Sequence, residues 1–170
     1  MKKLLNYAIL VFCGLHLTLV FAADADVLRE SQDRAEIQGL MWRYVRALDS
    51  FNGEAYAAVF TEDGQFRSGN QGVTQGRAAL KKMVDDLKKS REERAAKGEP
   101  VPPMNHMIPN SYIEFVDADH ARYHSYWMTV FGAGGPETPP RIAASGRGVD
   151  EIVRVNGEWL IQSRDVSPKD

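Results

Sequence analysis

One cysteine occurs in 170 residues, and that one, Cys13, lies inside an apolar N-terminal run. Beyond it the chain has no thiol, which excludes disulfides, thiolate nucleophiles and cysteine metal sites. An excess of one charge is missing too: 21 Lys and Arg stand against 23 Asp and Glu, a formal net charge of -2. A nucleic-acid binder draws most of its affinity from a strongly basic surface, so that class is set aside. No Gly-rich phosphate loop opens a helix and no Gly-x-Ser-x-Gly elbow occurs, which argues against nucleotide cofactors and serine hydrolysis. His106, His120 and His124 do not cluster with carboxylates at the short spacings of a metal set, so neither metal nor cofactor is expected. There is no internal repeat and no low-complexity tract. What is present, 44% hydrophobic and 26% charged residues, fits one globular domain with a real core.

The first residues stand apart. Met1-Lys2-Lys3 is a positive start, and Leu4 to Phe21 is apolar except at Asn6, His16 and Thr18. This pattern reads as a secretory signal over residues 1–25. Cleavage is expected after Ala22, with Val20 at the third position before the cut, or after Ala25, with Ala23 there. An uncleaved anchor is the alternative, since the run approaches the roughly 20 residues that span a bilayer. Phe12 is too bulky to precede the cysteine of a lipoprotein box. The expectation is a bacterial periplasmic or secreted protein whose mature domain, residues 26–170, has no stable membrane association.

Ile37, Leu40, Met41, Tyr44, Val45 and Leu48 fall at helical spacing, with Ser31 or Asp33 as N-cap and Asn52-Gly53 as the stop. Glu54 to Phe60 reads as a short second helix turning at Asp63-Gly64, followed by a brief strand, Gln65-Phe66-Arg67. Arg77 to about Lys97 reads as a third helix with a seam of Leu80, Met83, Val84 and Leu87. Its run Lys88-Lys89-Ser90-Arg91-Glu92-Glu93-Arg94 mixes signs, as a solvated face does. Pro100, Pro102 and Pro103 stop it. Four strand-like segments follow: Asn105 to Val116, Ala121 to Phe131, Arg141 to Val155, and Glu158 to Val166. Asn156-Gly157 is a strong hairpin signal. Helices first and an antiparallel meander after them predict an α+β fold, three N-terminal helices packed on a curved, mainly antiparallel sheet.

Asp49, late in the first helix, and His106, opening a strand, are residue types that suit proton transfer near neutral pH. The helix dipole disfavours an acid at a C-terminus, which invites a functional reading of Asp49. Either side chain can serve as the base with the other as its partner. Tyr44 lies on the apolar stripe, so its ring is core and its hydroxyl is the candidate contact for a substrate oxygen. Asn110 shares the face of His106 by the two-residue period, or else caps a bulge beside Pro109. His124 is a candidate second acid; Ser125 and Trp127 alternate with it, Trp127 as core or cavity wall. Arg147 and Arg164 are candidates for binding an anionic group, against the commoner outcome of pairing with Asp150 or Asp165.

The fragments Ile37-(x)2-Leu40-(x)3-Tyr44-(x)3-Leu48-Asp49, Phe60-Thr61-Glu62-Asp63-Gly64, Gly76-Arg77-(x)2-Leu80, His106-(x)3-Asn110, Gly146-Arg147-(x)2-Asp150 and Gly157-Glu158-Trp159-Leu160-Ile161-(x)2-Arg164 follow one another over about Gln32 to Val166. In order and spacing the sequence resembles the SnoaL-like branch of the nuclear-transport-factor-2-like superfamily, a cone-shaped α+β fold that includes ketosteroid isomerases, scytalone dehydratase, bile-acid 7α-dehydratase and a lindane dehydrochlorinase. The resemblance implies that Asp49 and His106 act as a proton-removing pair and that Tyr44 contacts substrate oxygen. It implies further a homodimer formed through the sheet and a small apolar substrate. Two departures stand out: Asn52 replaces a second acidic residue, and Gly148 stands where an aromatic residue is common. The expected activity is a cofactor-independent lyase of the dehydratase type. Isomerisation, carbon–carbon cleavage and non-catalytic binding of an apolar ligand are the alternatives.

Overall fold

The computed structural model describes residues 2–69, 72–134 and 138–168, with side chains described from residue 26 onward. The elements run α1 (Lys2–Asp49), α2 (Gly53–Ala58), β1 (Phe60–Arg67), β2 (Val73–Gln75), α3 (Arg77–Ala96), β3 (Met104–Phe115), β4 (His120–Phe131), β5 (Arg141–Val155) and β6 (Glu158–Asp165). Of the expected signal segment, residues 1–25, the backbone of residues 2–25 lies in α1, and its side chains fall outside the described residues. The chain divides after Gln38. The first unit is helical, with exposed i,i+3 and i,i+4 ion pairs from Arg29 to Asp26 and from Arg34 to Glu30. Ser31 and Asp33 therefore sit inside a continuous helix instead of capping it.

The second unit, Gly39–Asp170, carries the fold. Among the described residues six strands form one sheet in the order β2-β1-β6-β5-β4-β3, antiparallel except for β1 beside β6. The helices pack on this open, curved sheet, giving the expected α+β architecture. Leu40, Met41, Tyr44, Val45 and Leu48 are buried, so the helical stripe is the face that packs. Tyr44, Tyr56 and Phe60 make an aromatic cluster with centroids 5.3 to 6.3 Å apart. Trp159, 1% exposed, lies 6.3 Å from the Phe115 ring, and the Arg154 guanidinium covers it at 4.3 Å.

Local chemistry explains the boundaries. Asn52 caps α2 by accepting from Ala55 N–H at 3.0 Å. That helix ends at Ala58, earlier than expected, because Phe60 already pairs with Ile161 of β6. Asp63-Gly64 does not turn the chain; it lies in β1, where the register shifts between Phe60 and Gln65. A Cβ at Gly64 would come within 2.8 Å of Phe60 Cβ and 3.2 Å of Ile161 O, so the bulge needs glycine. Arg77 donates through Nε and Nη2 to Phe60 O at 2.9 and 2.7 Å and pins α3 to β1. Asn156 and Gly157 take φ of 52° and 85°, the left-handed pair of a tight hairpin between β5 and β6.

Candidate active site

Asp49 is the last residue of α1, and its carboxylate reaches His106 on β3 three times. Oδ1 lies 2.6 Å from the ring Nδ1, and the His106 backbone N–H donates to Oδ1 and Oδ2 at 3.0 and 3.1 Å. A carboxylate at the negative end of a helix is costly, and two donors of His106, the ring Nδ1–H and a backbone N–H shared by both oxygens, offset that cost. An ionised carboxylate only accepts, so Nδ1 is the ring's donor to it, and in the neutral imidazole the lone pair falls on Nε2.

His106 lines a cavity of about 200 Å³ with Tyr44, Val45, Leu48, Phe66, Ser68, Ile108, Trp127, Thr129, Ala144, Arg164 and Val166. Asp49 stands behind the imidazole and is not part of the lining. Tyr44 and Arg164 enter the same wall: the Arg164 guanidinium lies 4.4 Å from the Tyr44 ring centroid. Arg164 is 2% exposed and pairs through Nη1 with Asp150, which is fully buried. Burial pushes the Asp150 carboxyl up to about 6, against the lowering pull of Arg164. Burial lowers the Arg164 guanidinium, yet Asp150, Tyr44 and Tyr56 outweigh it, so it stays cationic. Burial also raises the Tyr56 phenol well above its ordinary value.

Trp127 is fixed by two acceptors, Arg147 O at 3.0 Å and Val166 O at 3.1 Å. Its indole fills space over β5: a Cβ at Gly146 would lie 2.8 Å from the ring, and one at Gly148 would lie 3.6 Å from it and 3.1 Å from Ser125 Oγ. Gly146 therefore makes room for an aromatic wall supplied by β4, while the glycine at position 148 is crowded by Ser125 Oγ and by Asp165 O at 3.3 Å.

The remaining candidates go elsewhere. The register shifts between Met107 and Asn110: His106 pairs with Thr129, but Asn110 pairs with Tyr126, so the segment Ile108-Pro109 spans only Trp127. One extra residue reverses the parity, and Asn110 lies on the opposite sheet face from His106. Proline cannot donate to the ladder, which suits a bulge on this edge strand. Asn110, His124, Ser125 and Arg147 line a separate groove of about 410 Å³ with Tyr112, Tyr126 and Pro168. Ser125 Oγ is buried without a hydrogen-bond partner among the described residues, and His124 Nε2 meets Glu114 at 3.0 Å. The three strand histidines each face a different carboxylate, since His120 meets Asp117 at 2.9 Å. Sequence reasoning missed Val45, Leu48, Phe66, Ser68, Ile108 and Ala144 as cavity wall; side-chain type alone carried no signal for them.

Residues 29–165 match the SnoaL-like domain family. The chain belongs to that family. Among solved structures it is similar to a protein of unknown function from Mycobacterium tuberculosis at 26% identity, over 84% of this chain and 75% of that one, with a TM-score of 0.69. A putative scytalone dehydratase from Novosphingobium aromaticivorans is 24% identical over 82% and 85% of the two chains, TM-score 0.64. A Catenulispora acidiphila protein, in complex with S-DNPA, is 25% identical over 79% and 91%, TM-score 0.62. No curated protein matches the chain. A SnoaL-like fold supports small-molecule binding.

Proposed function

We propose that this SnoaL-like protein is a cofactor-independent lyase of the dehydratase type, acting on a small, largely apolar, oxygenated substrate. The carrying observation is the 2.6 Å contact of Asp49 with Nδ1 of an imidazole that lines the cavity. Nε2 of His106 is then the base, and Asp49 fixes the tautomer and stabilises the imidazolium that forms. The proton leaves a carbon beside an electron-withdrawing oxygen function. The Tyr44 phenol and the Arg164 cation share the cavity wall with His106 and supply the complement for oxygen that gains charge. For elimination, the imidazolium returns its proton to the departing hydroxyl, so water leaves and the base is restored. Double-bond isomerisation or carbon–carbon cleavage would use the same proton relay.

The test is incubation of the purified mature protein with hydroxylated aromatics, terpenoids and steroids, comparing wild type with His106→Ala by mass spectrometry. Loss of 18 Da that needs His106 is the result expected; undiminished turnover in the variant overturns the assignment. Binding without any mass change would make the protein a carrier.

The proposal extends to location and assembly. The chain is exported to the periplasm or medium and loses its signal after Ala22 or Ala25, which N-terminal sequencing of the exported protein checks. It forms a homodimer through the outer sheet face, where Met107, Tyr112, Tyr126 and Ile142 are exposed. Sedimentation of wild type against Tyr126→Glu tests that interface.

A further inference from the structure

Phe51 carries the least comfortable backbone near the site. Its φ is 54°, a left-handed conformation that a bulky side chain rarely adopts. It stands where a helix end usually places glycine: Phe51 N–H donates to Leu48 O at 3.1 Å and Asn52 N–H to Ala47 O at 2.9 Å, closing α1 two residues after Asp49. Helix termination alone would be served better by glycine, so the ring is retained for something else. Its partner is Arg91 of α3, whose guanidinium lies 4.8 Å from the Phe51 centroid. The same guanidinium donates from Nη2 to Pro102 O at 2.6 Å, four residues before His106. The segment entering β3 is held further by Gly132 N–H, which donates to Pro103 O at 2.8 Å. Asp49 and His106 thus sit on two chain segments that one side chain ties together.

We infer that Arg91 is a positioning residue, which through Phe51 and Pro102 O sets the end of α1 against the start of β3 and so holds the Asp49 carboxylate on His106. Arg91 touches neither member of the pair. Lysine cannot replace it, because the planar guanidinium stacks on the ring and donates sideways at once. The inference deepens the proposed role of His106 without depending on any substrate.

Hydrogen exchange followed by NMR tests it on the mature protein, reading the Nδ1–H and the backbone N–H of His106, both of which are bonded to Asp49. In wild type both protons should be protected. Arg91→Lys, Arg91→Ala and Phe51→Gly should each accelerate their exchange at least about tenfold, with the amides of β5 and β6 unchanged. Phe51→Gly separates positioning from stability: glycine relieves the left-handed strain, so Tm should hold or rise while His106 loses protection. Where Arg91→Ala does not fold, Arg91→Lys and Phe51→Gly decide. Unchanged protection in both overturns the role of Arg91. Absence of protection in wild type overturns the Asp49–His106 reading itself.

Discussion

Asp49 holds His106 by ring and by backbone at once, a carboxylate 2.6 Å from Nδ1 that also accepts the N–H of the same residue. The double hold makes amide substitution informative. In Asp49→Asn the single amide oxygen serves the backbone N–H and leaves its NH2 facing the ring, which forces the ring proton onto Nε2. Turnover should fall by about 10²–10⁴-fold with little change in fold, measured as kcat/KM and circular dichroism.

Tyr44→Phe separates core from chemistry. The ring packs on Tyr56 and Phe60 and sits under Arg164, contacts that phenylalanine keeps. Stability should therefore change by less than about 1.5 kcal/mol, the worth of one hydrogen bond. If the hydroxyl holds substrate oxygen, kcat should fall by about 10-fold or more. Denaturant titration and steady-state kinetics give the two numbers.

Asn110→Ala should leave turnover within about threefold of wild type, since the bulge sets that side chain on the other face of β3. Ile108→Ala, two residues nearer and on the cavity wall, should alter KM and cost about 2–5 kcal/mol at most, less for its partial exposure. The opposite ranking would restore the simple two-residue alternation across His106, Ile108 and Asn110.

Asp150 predicts a pH dependence of stability. Its folded pKa is raised from 3.8 to about 6, so the folded protein binds the proton more tightly than the unfolded chain. This stabilising contribution is full below pH 3.8 and is lost as pH rises through about 6. In Asp150→Asn it disappears. The stability of wild type relative to the variant should thus fall by about 2 kcal/mol between pH 4 and pH 7, read from paired denaturation curves.

Gly146→Val tests the indole wall. A side chain there meets the Trp127 ring at 2.8 Å, so the ring must leave its two carbonyl acceptors. A loss of about 1–3 kcal/mol is expected, with a changed cavity shape visible as altered preference among substrates of different size.

Sequence alone determined what is local. The helical stripe from Leu40 to Leu48, the left-handed Asn156-Gly157 turn and the four long strands follow from side-chain period and turn chemistry, which act within a few residues. The types of Asp49 and His106, and the order of fragments around them, were also legible. Tertiary structure decided what depends on a partner. Asp63-Gly64 reads as a turn until Ile161 pairs with Phe60 and makes it a bulge. Asn110 reads as a neighbour of His106 until β4 opposes Ile108 and Pro109 with Trp127 alone and reverses the face. Whether His106 or Asp49 meets the cavity could not be read from either residue, because it depends on which side of the imidazole the end of α1 arrives. Pairing register and chain approach are non-local, and they assigned this site its inner and outer members.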